Sequence, residues 1–371
     1  MFQNHAGTPL EGEVRISSGC AIAAIFRRDG SVESGRRIVD SISALRERSN
    51  GLGGGFAAYG IYPHCSELYA LHVFCDGESA RTDFESILRT DFTIELAEPI
   101  PTVKCAAISK RPLTRRYFVL PRPDRLAESG LDEESFVVRF VIGENAETNG
   151  ILIFSCGKNM GVFKAEGYPE DVGEFYDLER YSGYCWTAHG RYPTNTPGWW
   201  GGAHPFSLLG LSVVHNGEIS SYEVNRHCVE SRGYHCALLT DTEVITYIFD
   251  FLTRRTGLSL REASGVIAAP FWSELEALPE PERSRARYLR YAFPGLLING
   301  PFSIIVGFDG GLMLLSDRLK LRSTVYAEQA GVFYAASEEC AIRAIAPSVG
   351  NIRAPRAGDA IITTLNGSVN P

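Results

Sequence analysis

Short apolar runs separated by polar turns recur along the chain and set its predicted elements. Runs of this length, bounded by Gly, Pro, Asn or Asp, are typical of buried strands. They lie at residues 20–26, 68–74, 102–108, 136–142, 151–155, 208–214, 323–326 and 332–336. Segments 302–308 and 312–316 flank Asp309-Gly310-Gly311 and predict a hairpin. This strand pattern alone leaves a sandwich, a barrel and a mixed α+β fold open.

Helices are predicted elsewhere, and at 36–48 the apolar residues follow helical spacing. They lie at 36–48, 81–89, 157–163, 218–232, 240–253 and from 338, with broken helical pieces between 261 and 291. Pro270, Pro279 and Pro281 account for the breaks. Thr240 or Thr242 is a candidate helix cap, with acidic residues in the first turn that follows.

Length and composition narrow the function classes. A chain of 371 residues forms one large domain or two. Between 99 and 150, prolines and charged stretches predict an elaboration on a core, not a separate domain. A net charge of −8 without a basic cluster argues against nucleic-acid and membrane partners. No segment approaches the ~20 apolar residues that span a bilayer.

The cysteines indicate a reducing, cytoplasmic setting. There are nine, an odd number, and none forms a C-x-x-C pair. This spacing argues against a zinc site, an iron–sulfur cluster or a disulfide framework. Most of the cysteines are therefore expected to be small buried hydrophobic residues, and no metal site is expected.

The chemistry concentrates in the stretch HGRYPTNTPGWWGGAHPF at 189–206, HNGEISSY at 215–222 and TDTE at 240–243. Asn216 offers an amide donor and Gly217 a side-chain-free N–H, which together suit an oxyanion. Arg191 has the planar fork that binds a carboxylate, and Asp241 has the charge that binds an ammonium. The stretch predicts a site for a free amino acid whose side-chain carbonyl is attacked.

These motifs resemble those of the class II glutamine amidotransferases, whose pattern is H-x-R-x-x-T, HP or HPF, HNG and TDTE. Within that family, RYPTN, WGGAHPF and VHNGEISSY are most similar to the stand-alone amidotransferase subunit of archaeal-type glutamate synthase. The likeness runs from Ser18 to about Glu339. It implies an α+β fold, the four-layer αββα sandwich of two antiparallel sheets found in N-terminal nucleophile hydrolases.

The resemblance also implies roles. Cys20 would be the nucleophile and the first residue of the processed chain, with residues 1–19 a removed leader and 20–371 the amidotransferase domain. A disordered tail is the other interpretation of 1–19. Thr194 and His204 would shape the glutamine pocket, and His189 and His215 would order the loops. Residues 48–55 would form a lid that closes over bound glutamine. Three alternatives stay open: His204 is structural, Asp241 only stabilises the start of its helix, and residues 48–55 form a tight turn at the entry to a strand.

The implied activity is glutamine hydrolysis that delivers ammonia elsewhere. No Rossmann, phosphate-loop or flavin motif is present, so no cofactor is expected on this chain. In the glutamate synthases that it resembles, a partner subunit carrying FMN and iron–sulfur clusters aminates 2-oxoglutarate. The alternatives are an unprocessed, non-catalytic regulatory relative, a free-standing glutaminase, and an amidotransferase subunit for another acceptor.

Overall fold

The computed structural model describes residues 19–109, 111–147, 149–193, 198–365 and 367. Thr194 and residues 1–18 of the expected leader lie outside this range. The described strands, in chain order, are β1 (Ala21–Arg27), β2 (Glu33–Ser34), β3 (Gly54–Tyr59), β4 (Tyr69–Cys75), β5 (Phe92–Pro99), β6 (Leu113–Pro121), β7 (Ile151–Ser155), β8 (Met160–Ala165), β9 (Ser182–Gly183), β10 (Cys185–Gly190), β11 (Phe206–Leu208), β12 (Leu211–Gly217), β13 (Phe302–Phe308), β14 (Gly311–Ser316), β15 (Val325–Gln329), β16 (Val332–Ala336) and β17 (Ile361–Thr364).

The described α-helices are α1 (Arg36–Ser43), α2 (Glu78–Asp91), α3 (Pro123–Ser129), α4 (Glu133–Ala146), α5 (Pro169–Phe175), α6 (Tyr222–Glu230), α7 (Asp241–Asp250), α8 (Leu260–Ile267), α9 (Trp272–Ala277), α10 (Glu282–Ala292) and α11 (Glu339–Ile345). A π-helical turn, Phe251–Arg255, continues α7. None of the described helices is both long enough and apolar enough to cross a bilayer.

Two antiparallel sheets form the centre of the molecule. One has six strands in the order β15-β16-β1-β10-β3-β8, and the other has five in the order β11-β12-β13-β14-β17. The sheets meet face to face where β1 and β10 contact β12 and β13. Helices α1, α5 and α11 cover the outside of the six-stranded sheet, and α7 covers β11 and β12. The expected αββα sandwich is therefore confirmed.

The faces of the sandwich are joined by polar contacts as well as by apolar packing. The Tyr59 hydroxyl on β3 donates to Ser212 Oγ on β12 at 2.8 Å. His189 on β10 donates through Nε2 to the His215 carbonyl on β12 at 2.9 Å. All four residues are almost fully buried, and buried polar groups are stable only when they are paired. These two bonds therefore specify how the sheets sit against each other.

A second layered unit lies between β3 and β8. Strands β4 to β7 form a four-stranded antiparallel sheet in the order β5-β6-β4-β7, and α2 and α4 pack on it. The element sequence βαββαβ is that of a split βαβ unit. The predicted elaboration at 99–150 falls inside this unit, which extends from β4 to β7. The division of the chain into leader and domain stays a prediction.

Three predicted elements are wrong. Residues 136–142 belong to α4, where the Asp132 side chain accepts the Ser135 N–H and caps the helix. Residues 102–108 form no regular element. The predicted helix at 157–163 is strand β8, entered through Asn159 at φ 49° and paired with β3. In these places tertiary pairing and packing override the local preference.

Two further predictions need adjustment. The apolar run 208–214 is not one strand but the end of β11, a turn at Leu209-Gly210, and the first part of β12. The helix expected at 218–232 is shorter, since α6 spans Tyr222–Glu230. The predicted elements at 36–48, 81–89, 261–291 and the 302–316 hairpin are confirmed in type.

Removing the Tyr59 hydroxyl is expected to weaken the junction between the sheets. Tyr59→Phe leaves the buried Ser212 hydroxyl without its donor, which costs about 1–2 kcal/mol. The measurement is the urea midpoint of unfolding followed by circular dichroism. Tyr288→Phe is the matched control, because Tyr288 is 59% exposed. Equal midpoints for the two variants would contradict a stabilising role for this bond.

Candidate active site

The ends of three strands and the start of one helix surround a single cavity. Cys20 immediately precedes β1, Arg191 follows β10, Gly217 ends β12, and Asp241 begins α7. The cavity has a volume of about 250 Å³, near the lower end of small-molecule sites. Its lining consists of Cys20, Arg191, Tyr192, Pro193, His204, His215, Gly217, Glu218, Ile219, Tyr222, Leu239, Thr240 and Asp241.

The Cys20 thiol is held at the cavity wall by the main chain. Its Sγ accepts the Tyr192 N–H at 3.3 Å. Burial raises the pKa of the thiol to about 11, and the negative charge of Asp241 adds to the rise, while the Tyr192 N–H and the charges of Arg191 and Arg322 oppose it. At neutral pH the sulfur is therefore protonated and needs a base before it can act as a nucleophile.

Arg191 is the buried cation of the cavity, with only 4% of its surface exposed. Its N–H and carbonyl are fixed by Gly53 and Asn50 on the opposite loop. Burial lowers the pKa of the guanidinium, and the thiol and Asp241 oppose this effect. An arginine nevertheless remains protonated in proteins, so the cavity contains a permanent positive charge.

Asp241 is the anion of the cavity. Its Oδ2 accepts the Ile219 N–H at 3.3 Å, and Oδ1 accepts the Thr242 hydroxyl at 3.2 Å. His215 Nδ1 lies 3.4 Å from the same Oδ1. Burial alone would raise the pKa of this carboxyl, but His215 and the hydrogen bonds hold the pKa below its ordinary value. The carboxylate therefore stays ionised.

Thr242 connects both pocket histidines to this carboxylate. Its Oγ1 is 2.6 Å from His204 Nε2 and 3.2 Å from His215 Nδ1. Burial, reinforced by His189 and the charge of Arg191, holds the pKa of His204 well below its ordinary value. His204 stacks on His189, with ring centroids 4.1 Å apart. The arrangement fixes His204 as a neutral ring behind the carboxylate.

Asn216 and Gly217 stand where β12 reaches the cavity. Asn216 is fully buried, and its Nδ2 donates one hydrogen to Ser337 Oγ at 3.4 Å. Among the described residues, no group donates a hydrogen bond to its Oδ1. An added Cβ at Gly217 would lie 1.9 Å from the Pro301 carbonyl, and φ is +145°. Position 217 therefore accepts only glycine without rearrangement.

The chain entering Cys20 passes close to these groups. An added Cβ at Gly19 would lie 3.7 Å from both Asn216 Oδ1 and Arg48 Nη2. Arg48 Nε donates to the Cys20 carbonyl at 3.1 Å, and its Nη1 pairs with Glu338 at 2.6 Å. The junction between residues 19 and 20 is thus held beside Asn216. The lid expected at 48–55 stays a prediction.

The structure brings most of the sequence-predicted residues together. Cys20, Arg191, His204, Gly217 and Asp241 line one cavity, and the buried Asn216 immediately precedes Gly217 on β12. Sequence reasoning missed the contributions of Tyr192, Thr242, Arg322 and Ser337. Thr242 carried a signal as part of TDTE, whereas Tyr192 acts through its main-chain N–H and Arg322 and Ser337 lie in distant segments outside the strands. No group of ligating side chains among the described residues is placed to hold a metal ion.

The αββα sandwich with a cysteine at the head of an inner strand has the architecture of the N-terminal nucleophile hydrolases. The family model for class II glutamine amidotransferases matches residues 99–256. An uncharacterized protein of Archaeoglobus fulgidus is 42% identical over 349 residues, 93% of this chain and 92% of its own length. The chain belongs to the class II glutamine amidotransferases and is an enzyme of that class.

Two further relatives have named activities. A putative glutamine amidotransferase of Methanothermobacter thermautotrophicus is 26% identical over 337 residues, 88% of this chain and 93% of that protein. The glutamine–fructose-6-phosphate aminotransferase of Vibrio vulnificus is 28% identical over 207 residues, 53% of this chain and 32% of that protein. The expected family is confirmed, whereas the glutamate synthase subtype stays a prediction.

The raised pKa of Cys20 predicts slow alkylation in the chain that retains residues 1–19. With a pKa of about 11, about one thousandth of the thiol is ionised at pH 8, against about a quarter for an ordinary cysteine. The iodoacetamide rate, followed by peptide mass spectrometry, should rise about tenfold per pH unit between pH 8 and 10. The same peptide in unfolded protein is the control. A rate that levels off near pH 8.5 in the folded chain would contradict the raised pKa.

Proposed function

We propose that this enzyme hydrolyses L-glutamine to L-glutamate through a cysteinyl thioester and passes the ammonia to a partner synthase. The observation that supports the proposal is the shared cavity. A thiol, a buried guanidinium and an ionised carboxylate face about 250 Å³ of space, Gly217 also lines it, and the Asn216 amide precedes Gly217 on β12. A free amino acid with a side-chain carbonyl is complementary to this set of charges.

The two charged ends of glutamine would fix its orientation. Arg191 would bind the α-carboxylate through its fork, and Asp241 would bind the α-ammonium. Thr242 and the two histidines would keep Asp241 in place, and His204 would shape the pocket wall behind it. With both ends held, the side-chain amide extends toward Cys20, and this positioning supplies part of the catalysis. Thr194, which lies outside the described residues, is proposed on the resemblance alone to shape the same pocket.

Chemistry would then proceed in two steps. Cys20 Sγ attacks the side-chain carbonyl carbon, and the resulting oxyanion accepts hydrogen bonds from the second Nδ2 hydrogen of Asn216 and the Gly217 N–H. The tetrahedral intermediate collapses with loss of ammonia, which takes the thiol proton. Water then attacks the γ-glutamyl thioester and releases glutamate and the thiol. Loss of one oxyanion donor costs on the order of 3–4 kcal/mol.

Removal of residues 1–19 would supply the missing base. While Gly19 is attached, the Cys20 nitrogen is an amide and cannot accept a proton. A free α-amine has an ordinary pKa of about 7.7–8.0 and would stand beside a thiol whose pKa is raised to about 11. The freed amine is thus the group best placed to accept the thiol proton. Processing would therefore switch the enzyme on.

The acceptor of the ammonia is proposed on the resemblance. The motifs at 191–222 are most similar to those of the amidotransferase subunit of archaeal-type glutamate synthase. The partner would be a flavin-containing subunit that aminates 2-oxoglutarate, with FMN and iron–sulfur clusters on that partner. A cytoplasmic location fits the free cysteines of the described chain.

Processing and nucleophile can be tested together. A chain beginning at Cys20 is expected to release glutamate and ammonia from glutamine, whereas the full chain with Gly19→Pro should stay intact and inactive. In the shortened chain, Cys20→Ser should abolish turnover. Cys340→Ser is the control, since Cys340 is exposed. Full activity in protein whose intact mass still includes residues 1–19 would overturn the α-amine as base.

Substrate recognition predicts a second set of variants. Arg191→Ala or Asp241→Asn leaves the opposite charge of glutamine buried and unpaired, which costs about 2–5 kcal/mol. We therefore expect kcat/KM for glutamine to fall at least thirtyfold in each variant, mainly through KM. Arg180→Ala is the control, because its side chain is 81% exposed. Unchanged KM in both variants, with an unchanged melting temperature, would refute the assignment.

A further inference from the structure

A second cavity, separate from the first, is lined by four arginines. It has a volume of about 430 Å³ and shares no lining residue with the glutamine cavity. The lining residues lie in α4 and just before it, in the chain after α6, and in the π-helical turn after α7. We call it the arginine cleft, and its lining is Leu131, Ser135, Val138, Arg139, Ile142, Gly143, Arg232, Gly233, Tyr234, Arg254 and Arg255.

Of these four arginines, Arg254 alone has a carboxylate next to it in the described part of the chain. Arg254 pairs with Asp250 at 2.7 Å and also donates to Ser135 Oγ. Within the part of the chain that the structure describes, Arg139, Arg232 and Arg255 have no carboxylate within 4.0 Å. Asp132 and Glu134 are the nearby acids that act on Arg254. The cleft is therefore a cationic site on a chain whose net charge is −8.

The unpaired guanidiniums are held by neutral acceptors. Arg232 Nη1 donates to the Cys228 carbonyl at 2.6 Å, and Arg255 Nη1 donates to the Arg232 carbonyl. Arg139 stacks over the Phe136 ring at 5.2 Å. A guanidinium has five N–H donors, so most donors of these three side chains are left for another partner. Grouping like charges in this way is unfavourable until an anion binds between them.

The shape and chemistry of the cleft narrow the class of anion. Several guanidiniums together favour an anion that carries more than one negative charge. Their planar N–H groups match the oxygens of a phosphate group. Leu131, Val138, Ile142 and the Tyr234 ring add a nonpolar wall. A single amino-acid carboxylate would neither neutralise the positive charge of the cleft nor fill its volume. We propose that the arginine cleft binds a small phosphorylated molecule, a phosphate ester or a pyrophosphate.

The test uses inorganic pyrophosphate as the probe and isothermal titration calorimetry on the full chain at low salt. We expect saturable binding to the wild-type protein, weakened at least tenfold by Arg139→Ala and by Arg255→Ala. Both side chains are exposed, so both variants should keep the wild-type melting temperature. Arg180→Ala removes one positive charge on a side chain outside the cleft and should bind like the wild type.

Other outcomes would overturn the proposal. Absence of binding at millimolar pyrophosphate would show that the cleft is not a phosphate site. An equal loss of pyrophosphate affinity in Arg180→Ala would show only general charge attraction. Citrate, a polycarboxylate of similar charge, is titrated in parallel. Citrate binding as tight as that of pyrophosphate would contradict the phosphate class. Since the titration needs no glutamine turnover, its result is independent of the proposed activity.

Discussion

The hydrogen bond from the buried His189 ring to the His215 carbonyl fixes the end of the sandwich where the site lies. It joins β10 to β12 across the two sheets at 2.9 Å. A carbonyl only accepts, so Nε2 carries the ring proton, and burial lowers the pKa of His189 to about 3, which keeps the ring neutral. Arg191 follows His189 by two residues and Asn216 follows His215 by one. The bond therefore fixes the position of Arg191 relative to that of Asn216.

Burial favours the protonated form of both acidic groups of the cavity, but the net result differs between them. At Cys20 burial dominates, and the thiol stays protonated although the Tyr192 N–H contacts the sulfur. At Asp241 it is outweighed, since His215, Thr242 and the Ile219 N–H all act on one carboxylate. The same buried cavity thus contains an ionised carboxylate and a protonated thiol.

Local signals in the sequence predicted the elements whose structure is set locally. The Thr240 side chain accepts the Glu243 N–H and caps α7, as TDTE suggested, and Asp309-Gly310 makes the turn of a hairpin. The apolar run Phe136–Ile142 predicted a strand, but Asp132 caps it as helix α4 on the inserted sheet. Local patterns also fail to reveal site residues that act through tertiary contacts. Tyr192 acts through its N–H and Arg322 comes from a distant segment, so no local pattern identifies either residue.

The position of Asp241 depends on hydrogen bonds between α7 and the chain that precedes it. Buried Glu243 accepts the N–H groups of Ala237 and Leu238 at 3.1 and 2.9 Å, which folds the preceding chain back onto the first turn of α7. At the other end of the helix, the Tyr234 hydroxyl donates to Asp250 at 2.5 Å. Both ends of α7 are thereby tied to the chain that leads into it. Because the helix also packs on β11 and β12, Asp241 is placed by the core of the molecule and not by a free loop.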